Sequence, residues 1–301
     1  MTLHIDGEDV VVDELLVLAQ GDLQASLTLY QAKNYRQSIF FLQQTVEKTF
    51  KALAKYTRLT DDVRSLNHTP LKVIKDSAAK SKDYLKTVIT YAETDETLDY
   101  ILKSQNIIQA IESGKIDAVV DTSMTELMQK SKNHDLSAES LQTLLSEISL
   151  RYNWCENALK QLKAGQLSPR TRKQIEYEFQ LATIIDVGKH DLEEGKAELF
   201  NDFAWTEVVL DNPQIYKNDI MVVILIDIAL FIAENLAIIT SSHVTKTRYS
   251  DDKVNFHPEE YYTEERPIVK IIPDLQTYAQ VSIDYTRQSY EMNKSILGAG
   301  L

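Results

Sequence analysis

The sequence predicts an all-α fold, and two observations carry that prediction. Glycine and proline are scarce, with 8 and 6 occurrences among 301 residues. A β-rich protein of this length would need many tight turns, which draw heavily on those two residues. Apolar side chains also recur at helical spacing along several stretches. With 44% apolar and 26% charged residues, the composition is that of a globular protein with a buried core.

The clearest helix is predicted between Asn34 and Lys55. Its apolar residues step by three or four positions and form one stripe, which comprises Ile39, Leu42, Val46, Phe50 and Leu53. Gln43, Glu47 and Lys51 fall largely outside that stripe. Glu47 and Lys51 also have the i, i+4 spacing of a helix-stabilising ion pair.

A second helix is predicted just before this one, from Val12 to Gln31. Only a short link at Lys33 and Asn34 separates the two patterns. Helices joined by so few residues usually pack against each other in opposite directions. The N-terminal part of the chain therefore predicts an antiparallel helical hairpin.

More helices are predicted downstream. A long apolar stripe places Cys155 on its buried side, which favours a core cysteine over a nucleophile. Gly165 then fits a helix C-cap, and Ser168 and Pro169 fit the N-cap and first position of the next helix. Apolar helices are expected over 215–241 and 273–297, and the non-periodic stretch 242–267 is predicted to be a long loop.

The chain is expected to be cytoplasmic and to make no contact with a membrane. It has a single cysteine, and its first residues are acidic and lack a basic segment before an apolar core. The apolar stretch 220–240 is long enough to cross a bilayer, but Asp227 and Glu234 interrupt it. We therefore interpret it as a buried core helix.

Charge is distributed unevenly along the chain. The formal net charge is −13, which argues against a surface that binds nucleic acid all over. Residues 33–86 contain 12 Lys and Arg against 5 Asp and Glu, whereas residues 186–265 contain 6 against 17. The two regions could complement each other within the chain or across a dimer. Alternatively, the first could form a basic patch for a phosphate-bearing partner.

Two separated stretches of the chain carry recognisable motifs. From Tyr35 to Ala54 an apolar stripe is paired with a Gln/Glu-Lys run, and His68 follows shortly after. The segment 247–251 reads Thr-Arg-Tyr-Ser-Asp, and Tyr261 and Tyr262 follow it. Together these stretches resemble the two halves of one HEPN domain. The first looks like the signature second helix of that family with its following His, and the second resembles the family's Arg-Tyr-Pro-Asp loop.

The spacing differs from the family, because 180 residues separate His68 from Arg248. We therefore expect an up-and-down helical bundle formed by residues 1–92 and 236–301, interrupted by a helical insertion over 93–235 that packs on it. The resemblance implies a homodimer that acts in RNA-directed defence. Some family members are metal-independent ribonucleases, and others pair with a small nucleotidyltransferase antitoxin or bind RNA or nucleotide without cutting.

The resemblance also implies candidate site residues. Ribonuclease members carry an Arg and a His at short spacing, where the His acts as general acid or base and the Arg stabilises charge on phosphorus. Arg64 and His68 are the candidates here; they have three residues between them, fewer than the family usually has, but can still share one helix face. His68 could instead only orient the start of a helix. The residues expected to face RNA or nucleotide are Arg58, Arg248, Tyr249 and His257.

Other chemistries are not expected. The remaining histidines have no paired metal-ligand spacing, so we predict no metal site and no cofactor. Asp227 and Glu234 could contribute to a metal site within a bundle, but buried, hydrogen-bonded carboxylates are the favoured interpretation. Trp154 and Trp205 are expected to be packing residues. The alternative function is a non-catalytic helical scaffold or protein-interaction module that docks on an acidic partner or on the chain's own acidic half.

Overall fold

The fold was analysed in a computed structural model, which describes residues 9–57, 87–88, 90, 136–187, 205–243, 247 and 257–298. Within these residues the regular structure is helical and no strand occurs, which confirms the all-α prediction. The main helices are α1 (Asp9–Gln31), α2 (Tyr35–Tyr56), α3 (Ala138–Lys163), α4 (Pro169–Val187), α5 (Lys217–Ser241), α6 (Pro258–Tyr261), α7 (Pro267–Lys270) and α8 (Ile272–Gly298). A further short helix covers 205–211. The HEPN form of the bundle stays a prediction.

The chain divides into two compact units. The first comprises Met1–Val73, Leu127–Asn157 and Met221–Leu301, and the second comprises Ile74–Glu126 and Ala158–Ile220. The division predicted from the sequence, with a bundle of 1–92 and 236–301 and an insertion over 93–235, stays a prediction.

The first unit is organised around α1, α2 and α8. The helices α1 and α2 pack along each other as the predicted antiparallel hairpin, and Ser26 near the end of α1 bonds to Ser38 near the start of α2. The terminal helix α8 runs antiparallel to α1, since Gln280 bonds to Gln20 at 3.0 Å and Lys294 lies 3.4 Å from Asp13.

A buried polar cluster joins these three helices. The Ser26 hydroxyl donates to the Ser38 carbonyl at 2.8 Å, and the Ser38 hydroxyl donates to the Ser26 carbonyl at 2.9 Å. The amide of Gln276 on α8 donates to the Ser26 Oγ at 2.9 Å. All three side chains are buried, and a buried polar group is stable only when it is hydrogen-bonded. The cluster therefore fixes how α1, α2 and α8 align.

The central helix is α2, and its predicted apolar stripe is confirmed as buried. Gln43 and Glu47, which fall outside that stripe, are buried as well. Val46 of the stripe and the neighbouring Thr49 line a small space together with residues of α5 and α8. The buried polar groups are satisfied along the helix: Gln43 donates to Glu47 at 3.3 Å, and Lys51 lies 2.8 Å from Glu47.

The helix ends in the second unit agree with the sequence. Gly165 lies just beyond α3 with a positive φ of 76°, as a C-cap glycine does. The Ser168 hydroxyl accepts a bond from the Thr171 N–H, and Pro169 opens α4. Arg172 of α4 then donates to the Leu210 carbonyl at 3.0 Å and ties this helix to the short helix 205–211.

The apolar helix α5 is long and apolar enough to cross a membrane, by length and composition. Of its most apolar window, 67% is buried inside the protein. That buried share fits the core helix of a soluble protein, which passes the same test of length and composition. The predicted absence of a membrane role stays a prediction.

Candidate functional site

Most of the site residues proposed from the sequence lie outside the described residues. This applies to both candidate catalytic residues, Arg64 and His68, and to Arg58, Arg248 and Tyr249. His257 is described: it is exposed and occupies the N-cap position of α6. Its side chain makes no capping hydrogen bond, so the imidazole is not used to hold the start of that helix.

The two stretches that carry the family resemblance meet in the first unit. Arg36, in the first turn of α2, donates from Nε to the carbonyl oxygen of Thr247 at 2.8 Å. These residues are 211 positions apart in the sequence. Thr247 directly precedes Arg248, so the beginning of the Arg-Tyr loop is held beside the beginning of α2.

A second contact joins the same two stretches at the surface. The Glu264 Oε1 atom accepts a hydrogen bond from the Tyr35 hydroxyl at 2.7 Å and lies 2.9 Å from the Lys33 ammonium. The hydrogen bond to Glu264 raises the pKa of Tyr35 to about 12. The same contacts, first that of Tyr35 and then that of Lys33, lower the pKa of Glu264. The Glu264 carboxylate thus binds two donors that face solvent, the Tyr35 hydroxyl and the Lys33 ammonium.

The segment that carries Glu264 is anchored by buried residues. Tyr262 is buried, and its hydroxyl lies 2.9 Å from Nδ1 of the buried His243 at the end of α5. On the other side of Glu264, Ile268 and Val269 of α7 are buried in the core. The segment predicted to be a long loop is therefore partly helical, with α6 and the start of α7 within it.

The turn between these anchors, residues 263–266, is exposed but structured. The Arg266 amide donates to the Thr263 carbonyl at 3.1 Å. The Arg266 guanidinium lies 4.2 Å from the ring centre of Tyr261 and donates to the Tyr261 carbonyl. Such a cation–π contact, together with the hydrogen bonds, limits the freedom of the turn and of Glu264 within it.

A second polar group lies between α3 and α5 of the first unit. Arg151 donates to Oδ2 of Asp227 from Nε at 3.1 Å and from Nη2 at 2.7 Å, and its guanidinium lies 5.0 Å from the ring centre of Trp154. The preferred interpretation of Asp227 as a hydrogen-bonded carboxylate is confirmed. Trp154 acts here as a packing surface for a cation.

The helix α3 also contacts α8 through tyrosines. The Tyr285 hydroxyl donates to the Glu156 carboxylate, and burial raises the pKa of Tyr285. The Tyr152 ring stacks near Tyr285 at 6.3 Å. Cys155 is fully buried beside this group, and burial raises the pKa of its thiol to about 12. Since the thiolate is the reactive form, this cysteine is inert at neutral pH, as the sequence predicted.

Glu234 differs from the other carboxylates of the first unit. It is half-buried on α5 and makes no ion pair or hydrogen bond within the part of the chain that the structure describes. Burial, and next the charge of Asp227, raises the pKa of Glu234 to about 7. The interpretation of Glu234 as a hydrogen-bonded carboxylate stays a prediction. Among the described residues, no group of three or more His, Cys, Asp or Glu side chains could hold a metal ion.

Lys33, Tyr35 and Glu264 were not recognised as a group from the sequence. The sequence places Lys33 in the short link between two predicted helices and Glu264 in the stretch predicted to be a long loop. The available signal was the length of that loop and its content of tyrosine and charge. Trp205, expected to be a packing residue, packs edge-on against Tyr216 with a ring-centre distance of 4.8 Å, and 48% of it is exposed.

Comparison with known proteins does not identify the chain. No family model, no curated protein and no solved structure matches it.

Proposed function

We propose that this protein is a HEPN-like component of a defence or toxin–antitoxin system that binds RNA or a nucleotide. It acts in the cytoplasm as a homodimer, and a small nucleotidyltransferase is the expected antitoxin. The proposal rests on the sequence resemblance and on one structural observation that agrees with it.

The observation that supports the proposal is the contact between Arg36 and Thr247. In a HEPN-like protein the second helix and the Arg-Tyr loop must belong to one site, although an insertion separates them here. A bond across 211 residues between the start of α2 and the residue before Arg248 meets that requirement. The Glu264 contact with Tyr35 is a second link between the same stretches.

The sharper form of the proposal is metal-independent cleavage of RNA. Arg64 and His68 are the residues expected to act, His68 by proton transfer to or from the 2′-hydroxyl and Arg64 by stabilising charge on the phosphorus. His257 would contribute from the loop, where its imidazole is exposed. Arg58, Arg248 and Tyr249 would bind the phosphates and bases. No metal or cofactor is required by this chemistry.

The test is cleavage of a labelled mixed-sequence RNA by the pure protein in EDTA. If the proposal holds, Arg64→Ala or His68→Ala should lower the rate by about a hundredfold or more, the usual contribution of a general acid or base. His190→Ala is a matched control, because His190 has no arginine partner at family spacing and should cut like the wild type.

The outcome separates catalysis from binding. A folded wild-type protein that leaves RNA intact would exclude the ribonuclease form, and RNA affinity would then be measured as a function of salt. An affinity that falls steeply with salt indicates phosphate contacts and would retain the binding proposal. A lack of any affinity for RNA or nucleotide would contradict the proposal as a whole.

A non-catalytic helical scaffold is the second candidate, and one observation in the second unit favours it. Three apolar side chains within eleven positions are exposed: Trp205 by 48%, Val208 by 44% and Ile215 by 74%. Trp205 and Val208 are three positions apart on the short helix 205–211 and so share one helix face, and an exposed apolar face is typical of protein-interaction surfaces. The scaffold predicts a stable protein complex and no salt-dependent affinity for RNA.

A further inference from the structure

The contact of Glu264 with Lys33 and Tyr35 is open to solvent. The side chain of Lys33 is 75% exposed and that of Glu264 is 56% exposed. One oxygen of Glu264 lies within hydrogen-bond distance of both donors, 2.9 Å from the ammonium and 2.7 Å from the hydroxyl. An anion in solution can therefore reach the same two donors if Glu264 turns away.

The backbone of Lys33 has a conformation that favours glycine. Its φ is 59°, in the left-handed region, and its N–H bonds to the Tyr30 carbonyl while the N–H of Asn34 bonds to the Leu29 carbonyl. This is the hydrogen-bond pattern of a Schellman helix end, in which the left-handed residue is usually glycine.

The end of α3 has the same pattern and does use glycine. The N–H of Gly165 bonds to the Leu162 carbonyl, and the N–H of Gln166 bonds to the Gln161 carbonyl. A residue with a Cβ in this conformation costs roughly 1–2 kcal/mol. A lysine at the end of α1 is therefore not explained by the helix end itself. Unfavourable backbone conformations of this kind are concentrated at functional sites, where the side chain has a separate role.

Glu264 reaches Lys33 and Tyr35 from a backbone that is held in place. The turn 263–266 lies between the buried Tyr262 and the buried Ile268, and Arg266 is stacked on Tyr261. The position of the Glu264 side chain therefore follows from the fold of the first unit rather than from a freely moving loop.

The chemistry of the two donors suits a phosphate group. An ammonium and a hydroxyl can each donate to a different oxygen of a phosphodiester, and both bonds are strengthened by the negative charge. Lys33 also begins the region 33–86, which has 12 basic against 5 acidic residues. A solvent-exposed Lys–Glu pair contributes little to stability, so a phosphate can displace Glu264 at small cost.

We infer that Lys33 and Tyr35 are phosphate-binding residues and that Glu264 is a built-in competitor that occupies them in the absence of ligand. The inference rests on the proposed function, since it adds a contact to the RNA-facing surface. It implies that RNA must displace an internal carboxylate before this contact forms. The affinity of the protein for RNA is thereby lowered, and Glu264 becomes a residue through which RNA binding can be regulated.

The test compares Glu264→Gln with Glu265→Gln. Both variants remove one negative charge from the same exposed turn, but Glu265 is not bonded to Lys33 or Tyr35. Affinity for a fluorescein-labelled mixed-sequence RNA is measured by anisotropy at one fixed salt concentration. Glu264→Gln should bind roughly twofold to fivefold more tightly than Glu265→Gln, the factor expected when an exposed ion pair no longer competes. Equal affinity of the two variants would overturn the inference.

A second readout does not depend on RNA. The protein is labelled with [13Cζ]tyrosine, and the resonance of Tyr35 is assigned from its loss in Tyr35→Phe. Inorganic phosphate should shift this resonance, and should do so at lower concentration in Glu264→Gln than in the wild type, whereas sodium chloride at equal ionic strength should not. If neither the wild type nor the variants bind RNA or nucleotide but phosphate shifts the resonance, the proposed function fails and the phosphate contact stands. A resonance that phosphate leaves unchanged in Glu264→Gln would overturn the phosphate contact.

Discussion

Replacing Glu234 with glutamine should stabilise the protein at about pH 8 and leave its stability almost unchanged at about pH 4, below the pKa of the unfolded chain. The reason is the position of this carboxylate, half-buried on α5 without a described partner and with its pKa raised to about 7. In the unfolded chain the same group titrates near its ordinary value of 4.5. The folded protein therefore holds the proton more tightly than the unfolded chain does.

The sign and size of the effect follow from these two values. A group whose pKa is higher in the folded state than in the unfolded chain stabilises the fold at low pH. That stabilisation is lost as the pH rises through the folded-state pKa. The difference between 4.5 and about 7 corresponds to about 3 kcal/mol when Glu234 is fully charged. Because the side chain is half-buried, solvent screens part of this electrostatic cost. We expect Glu234→Gln to raise the free energy of unfolding at high pH by about 1–3 kcal/mol.

The measurement is urea unfolding of the wild type and Glu234→Gln at both pH values. Glutamine resembles the protonated carboxyl, so the free energies of unfolding should agree near about pH 4, and the variant should be more stable near about pH 8. Glu14→Gln, in which an exposed carboxylate of α1 is replaced, serves as the control and should show no such dependence. A stability difference that is the same at both pH values would refute the reasoning, because it would not arise from the ionisation of Glu234.

Three further substitutions test other parts of the fold by urea unfolding. Lys33→Gly should stabilise the protein by about 0.5–1 kcal/mol, because it relieves the left-handed backbone and loses only a surface ion pair; it should also weaken any RNA binding. Gly165→Ala should destabilise it by about 1–2 kcal/mol, since its φ is 76° and the added Cβ would lie 1.5 Å from the Gln214 Nε2 atom. Lys33 and Gly165 lie at helix ends with the same hydrogen-bond pattern. The opposite signs of the two changes in the free energy of unfolding are therefore the decisive result. Gln276→Ala should cost about 2–3 kcal/mol, because it removes a buried hydrogen bond and leaves a cavity between three helices; a loss below about 0.5 kcal/mol would contradict the role of the buried polar cluster.

The sequence predicted those features of the fold that depend on local pattern. The stripe from Ile39 to Leu53 and the burial of Cys155 follow from helical spacing alone. The cap at Ser168 and Pro169 follows from residue types that suit a helix start. Each of these features is determined by residues within a few turns of one another, so periodicity and capping preferences are sufficient to predict them.

Features that depend on distant residues could not be predicted in this way. Gln43 and Glu47 lie outside the apolar stripe of α2 and have polar side chains, yet both are buried. The backbone conformation of Lys33 has no signal in its residue type, which normally avoids φ above zero. Glu264 is 229 positions from Tyr35, and nothing in either local sequence indicates that the two meet. The candidate site is composed mainly of contacts of this second kind.

The placement of α8 has a consequence for how the chain folds during synthesis. Gln276 bonds to Ser26, which was made 250 residues earlier. When the hairpin of α1 and α2 leaves the ribosome, the helix that completes its core does not yet exist. The ring of Tyr56 on α2, which packs against Tyr290 of α8, then stays accessible until α8 has been made. We therefore expect the first unit to fold only after α8 has been synthesised, slowly for a helical protein, and to depend on chaperones in the interval.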